Sequence, residues 1–266
     1  MGWKYLSQSA NTEINVDDEF GLIQPGRAHF RLVGWFCVAS AIVSVFALLM
    51  SLQVVRVGDL LAFSPVKLMR FVADHQLIWR LSCLLNALSS ISKVLVFLML
   101  NVIVDRRARL LTRIGLILSI IGVAVDLNAQ VSLLVVLSDL AVQLKLNSSY
   151  LKQDLLQHSW IIINQALGQL ILVSNLMYSF GGLTSTIGLL MTKSLPKWLF
   201  WIGMPVWLLS FSGTFVSFFG QLYLSISLLL GFSLGFLVWV VVLAIVLDLR
   251  ARPEPAHATS QLAEFH

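Results

Sequence analysis

The sequence predicts an all-α fold, a polytopic integral membrane helical bundle of about six transmembrane helices with both termini cytoplasmic. Three observations carry this. The 266 residues are 58% hydrophobic and only 12% charged, more apolar surface than a soluble domain can bury. Apolar runs of roughly 18 residues or more recur, each long enough to cross a bilayer as a helix. Basic residues flank those runs, and they do so unevenly.

Three regions follow in order. Residues 1–30 read as a polar cytoplasmic tail carrying Glu13, Asp17, Asp18 and Glu19, with no short apolar core ahead of a small-residue cleavage site. Residues 31–249 read as the membrane domain, with spans at 31–52, 78–104, 114–138, 159–182, 198–219 and 222–247. Residues 250–266, with Pro253 and Pro255 and no apolar period, read as a disordered tail.

The links sort by charge. Lys4, Arg27, Arg31, Arg106, Arg107, Arg109, Arg113, Lys193, Lys197, Arg250 and Arg252 fall on one face of a six-span chain. Arg56, Lys67, Arg70, Arg80, Lys145 and Lys152 fall on the other, so eleven basic residues face six, and Lys93 completes the eighteen. The positive-inside rule then gives an N-in/C-in orientation, expected in a bacterial plasma (inner) membrane. The formal net charge of +5 is thereby a matter of orientation, and no basic face with interleaved aromatics points to nucleic acid.

Two extracytoplasmic segments look helical. Near 64–75, Ser64-Pro65 reads as an N-cap and first-turn proline. Val66, Met69 and Ala73 then oppose Lys67, Arg70 and Asp74, an amphipathic pattern suited to a membrane surface. A second stretch, near 149–158, leads into span four. Asn147 opens a three-letter glycosylation match. Span four itself is too long for the bilayer, and Gly181-Gly182 is where it could break.

Lys93 stands inside span two, where a cation is costly. Ser82, Asn86, Ser89, Ser90 and Lys93 form one helical stripe, and Gly115, Ser119, Gly122, Asp126 and Gln130 form a matching one on span three. A short link makes the two spans antiparallel neighbours. Counted from span ends at 104 and 114, Lys93 and Asp126 lie at equal depth, which predicts an intramembrane charged pair supported by Asn86 and Gln130. Span four adds Asn164, Gln165, Gln169 and Asn175, and carboxamides in hydrocarbon need partners or water. A polar cavity between spans two, three and four follows. Ser227, Gly231 and Gly235 on span six form a small-residue series for helix packing, and Pro205 kinks or ends the first turns of span five.

Chemistry beyond this is sparse. The two cysteines, Cys37 and Cys83, lie inside spans and define neither a disulfide framework nor a metal site. No histidine pair suits a transmembrane haem, and no HExxH, Walker or Gly-x-Ser-x-Gly pattern occurs. No catalytic residue and no cofactor can be assigned. The expected function is binding or transport of a proton, ion or small polar solute, with the bilayer as constant partner. The alternative is a non-catalytic scaffold, sensor or assembly partner, in an oligomer or with another membrane protein, whose polar residues serve helix packing.

Overall fold

The computed structural model describes residues 26–57, 65–146 and 149–252. The described chain is all-helical, and six of its helices are long and apolar enough to span a membrane. Helix α1 covers Arg27–Val57 and α2 Pro65–Asp74. Helix α3 covers Gln76–Ile103 and α4 Arg106–Ser132. A π-helical turn, Leu133–Leu137, carries α4 without a break into α5, Ser138–Leu146. Helix α6 covers Tyr150–Met191, α7 Trp198–Phe218 and α8 Leu222–Ala251.

Several helices outrun the apolar segments that announce them. DRRARLLTR is polar, yet only Val104 and Asp105 separate α3 from α4, and the arginines sit in the first turns of α4. Helix α6 is 42 residues long and passes straight through Gly181-Gly182, so span four neither breaks there nor ends at 182. Both glycines are buried against neighbouring helices, so packing holds the segment helical. Pro205 lies inside α7 without ending it.

The 41 residues from Arg106 to Leu146 and the 42 of α6 each reach about 60 Å at 1.5 Å per residue. The hydrocarbon core is roughly 30 Å thick. Their ends meet where Thr192 Oγ1 accepts from the Asp105 backbone N–H at 3.3 Å and Ser194 Oγ donates to the Ile103 carbonyl at 3.0 Å. The start of α1 and the end of α8 lie together as well, with Gly34 against Ala244 and Leu247. We call the side with Arg27, Arg106 and Ala251 the terminal side. The surplus length of α4–α5 and α6 therefore projects on the opposite, far side.

Two apolar cores result. The larger joins α1, α3, α4, α6, α7 and α8 around Trp207, whose ring lies 5.4–6.0 Å from those of Phe97, Phe232, Phe236 and Trp239. The smaller, on the far side, gathers Met69, Phe71 and Val72 of α2 with Trp79, Leu137 and Trp160. Trp79 donates its indole N–H to the Leu133 carbonyl at 3.1 Å, at the start of the π turn. So α2 has the expected amphipathic pattern, but its apolar face is covered by protein. Ser64 and Asn147 fall outside the described residues, as do 1–25 and 253–266.

Helix α2 is also pinned by charge, since Lys145 Nζ of α5 donates to Asp74 Oδ1 at 2.7 Å. That hydrogen bond first, then the lysine's charge, holds the Asp74 carboxyl below its ordinary value, with smaller help from His75 and Arg70. A carboxylate whose pKa is depressed by folding stabilises the fold above its unfolded value of about 3.8 and loses that contribution as pH falls through the folded value. Both side chains are largely exposed, so the effect is small and salt-sensitive. Once the intrinsic slowing of exchange in acid is divided out, the protection factors of α2 amides are expected to fall slightly and selectively below about pH 4, and Asp74→Asn to show the lowered protection already at neutral pH. An equal acid loss of protection in Asp74→Asn and the parent would refute this.

Candidate functional site

The polar stripe of α3 divides between two neighbours. One edge meets α1, where Ser40 and Ser92 hydroxyls lie 3.0 Å apart and those of Ser44 and Ser89 3.1 Å apart. Asn86 Nδ2 donates to Ser51 Oγ at 3.1 Å and to the Ser82 carbonyl at 3.0 Å. The other edge meets α4. There Ser90 Oγ donates to Asp126 Oδ2, and Gln130 Nε2 donates to Asp126 Oδ1 at 3.4 Å. Asp126 is only 6% exposed, so these two donors substitute for water around a buried carboxylate.

Lys93 and Asp126 do not close a direct ion pair. The depth count placed the cytoplasmic end of span three at 114, whereas α4 begins at Arg106. Asp126 is placed level with Ser90 by the hydrogen bond from that residue, three residues or about 4.5 Å along α3 from Lys93. Its field still reaches Lys93 and Tyr178. The ammonium instead sits 5.5 Å from the ring centre of Tyr178, 5.7 Å from that of Phe232 and 5.9 Å from that of Phe236. Three ring faces offer a desolvated cation the attraction of their quadrupoles. No side chain takes a hydrogen bond from Lys93 Nζ among the described residues.

Lys93 also lines a cavity of about 230 Å³. Its walls come from α1 (Ser44, Leu48, Ser51), α3 (Asn86, Ser89, Lys93) and α8 (Leu229, Ser233, Phe236). The cavity runs from Ser51 and Asn86, nearer the far side, to Lys93 at its deep end. The lining contains one cation, one carboxamide, several hydroxyls and no carboxylate. At roughly 30 Å³ per water it would hold about seven waters or one small solute.

The expected cavity lay between spans two, three and four, and this one lies between the first, second and sixth. Asn86 belongs to it, but Gln130, Asn164, Gln165, Gln169 and Asn175 do not. The physical reason is close packing of the third and fourth spans. A Cβ built on Gly115 would stand 2.5 Å from the Gly181 carbonyl, and one on Gly122 3.1 Å from that of Ser174. Gly182 likewise meets the Trp207 ring, and Ser179 Oγ donates to Ser210 Oγ at 2.8 Å. No room remains there. Gln165 and Gln169 are exposed, Asn164 and Asn175 are half-buried, and a Cβ on Gly168 would meet open space.

The span-six series is split in the same way. Gly235 faces Val206 and Gly231 faces Leu209, both on α7, while Ser227 is exposed and bonds to the Tyr223 carbonyl of its own helix. Reading the sequence missed two groups that build the site. Ser40, Ser44 and Ser51 of α1 recur at helical spacing opposite the α3 stripe, and Phe232 and Phe236 recur four apart on α8. Both are visible as periodicities once a lysine asks for partners.

Compared with protein-family models, with curated proteins and with solved structures, this chain matches none.

Proposed function

We propose that this multi-pass membrane protein binds a small anionic solute in the Lys93 cavity and moves it into or across the membrane. The observation that carries the reading is a cation lining an intramembrane cavity, with aromatic rings around it and no hydrogen bond from its ammonium among the described residues. Intramembrane ionisable groups of this kind mark pathways and ligand sites. The hydroxyls of Ser44, Ser51 and Ser233 and the Asn86 carboxamide would orient the solute. Tyr178, outside the lining, would hold the ammonium from behind through its ring. Asp126, held by Ser90 and Gln130, would return Lys93 its counter-charge when the solute leaves.

The positive-inside bias supports a cytoplasmic terminal side, with the cavity then lying toward the exterior. The reading is tested by calorimetric titration of the detergent-purified chain with acetate, lactate and bicarbonate, and with acetamide and lactamide as neutral counterparts. At least one anion is expected to bind while its amide does not. Equal binding of acid and amide, or none of any probe, would defeat the proposal. A second reading, a scaffold or assembly partner, draws on Gln165 and Gln169, two carboxamides exposed on α6. It is favoured if Gln165→Leu/Gln169→Leu changes the oligomeric state and the titrations stay flat.

A further inference from the structure

A groove between α1 and α8, at the terminal side, is separate from the Lys93 cavity. The two helices touch closely at Gly34, where a Cβ would stand 3.7 Å from the Ala244 carbonyl. Beside that contact lies a groove of about 590 Å³. Its lining is graded along the helix axes. Arg31, Asp248 and Arg252 occupy the end nearest the helix termini, whereas Val38 and Ile245 line it about a turn or two deeper. Trp35 stands between them, 67% exposed, where an indole favours the headgroup region.

The charges do not cancel. Arg252 is held by Asp248, at 2.9 Å from Nη2 and 3.3 Å from Nε. Arg31 has no hydrogen bond among the described residues and is exposed. Two arginines and one aspartate leave a net +1 at the mouth of an apolar groove. A ligand that fits carries one negative charge at its head and a hydrocarbon tail.

We propose that this groove is a binding site for an anionic phospholipid. The phosphodiester lies at Arg31 and Arg252, and one acyl chain runs inward along Val38 and Ile245. A guanidinium fork suits phosphate geometry, and a basic pocket between helices at the membrane boundary is a recurring way to hold such headgroups. The inference does not depend on what the Lys93 cavity binds.

The test uses the full chain purified in detergent, in mixed micelles with phosphatidylglycerol or with phosphatidylcholine at equal mole fraction, and separately with glycerol 3-phosphate in the aqueous phase. Phosphatidylglycerol is expected to raise the melting temperature at least about twice as far as phosphatidylcholine, and glycerol 3-phosphate not at all. Arg31→Gln is expected to lose about half or more of that preference, and Arg107→Gln, outside the groove, to keep it. Equal shifts from the two lipids, an equal loss in Arg107→Gln, or a full response to glycerol 3-phosphate would each overturn the site. Phosphatidylglycerol brominated on its acyl chains supplies a readout that survives a folding defect at Arg31. It is expected to quench tryptophan fluorescence more in the parent than in Trp35→Phe, with an excess greater than brominated phosphatidylcholine gives. No excess in the parent would also overturn it.

Discussion

Gly115→Ala is expected to be among the most damaging single methyls in the bundle. The added carbon would stand 2.5 Å from the Gly181 carbonyl, with the Ser185 and Thr184 hydroxyls beside it. A hydroxyl can rotate away, but a helical carbonyl cannot move without its helix. The contact is reciprocal, because a Cβ on Gly181 would stand 2.7 Å from the Gly115 carbonyl. Overpacking a tight core costs about 1–3 kcal/mol and occasionally more, and here it separates α4 from α6, the pair on which the far-side assembly stands. Thermal unfolding in detergent measures the loss. Gly168→Ala on the partner helix α6, facing open space, is expected to be neutral or slightly stabilising, since alanine is the better helix former. Equal stability of the two variants would sink the argument.

Lys93→Met separates binding from stability. Methionine keeps the length of the side chain and suits the Tyr178, Phe232 and Phe236 faces, while the buried cation disappears. Melting is expected at or above the parent's temperature. Binding of the anion identified by titration is expected to fall by about 2 kcal/mol, roughly 30-fold in Kd, the usual worth of a charge-assisted hydrogen bond. Asp126→Leu should behave differently. It orphans Ser90 and Gln130, at about 1–3 kcal/mol for each buried polar group left unpaired. Because Lys93 and Asp126 make no direct contact, the double variant is expected to retain most of the Asp126 loss. Full recovery in the double would restore the direct pair that the sequence predicts.

How far the sequence could be read depends on what each signal measures. Hydropathy marks where lipid lies, so all six apolar helices are legible in it. It does not mark where a helix ends: the arginines of 106–113 continue α4 unseen, while the helical stretch expected near 149–158 is continuous with span four in α6. A count from span ends cannot fix the register of two helices, which is set by contacts such as that of Ser90 with Asp126. Stripes of small and polar residues are equally visible but ambiguous. Gly115, Ser119 and Gly122 look like a cavity wall and are a close-packed seam, because a glycine reads the same beside a void or beside another backbone. Lys93 was legible as an anomaly, whereas its surroundings come from α6 and α8, far away in sequence.

The surplus length of α4–α5 and α6 has a practical consequence. A chain of 266 residues enclosed in a detergent belt gives electron-microscope images almost no landmark by which to orient them. Two helices that continue about 20 Å past the hydrocarbon, clamped together by α2, break that near-featureless outline. An antibody fragment raised against this projection would be carried rigidly, and particle alignment could lock on to it without touching the membrane-embedded chemistry.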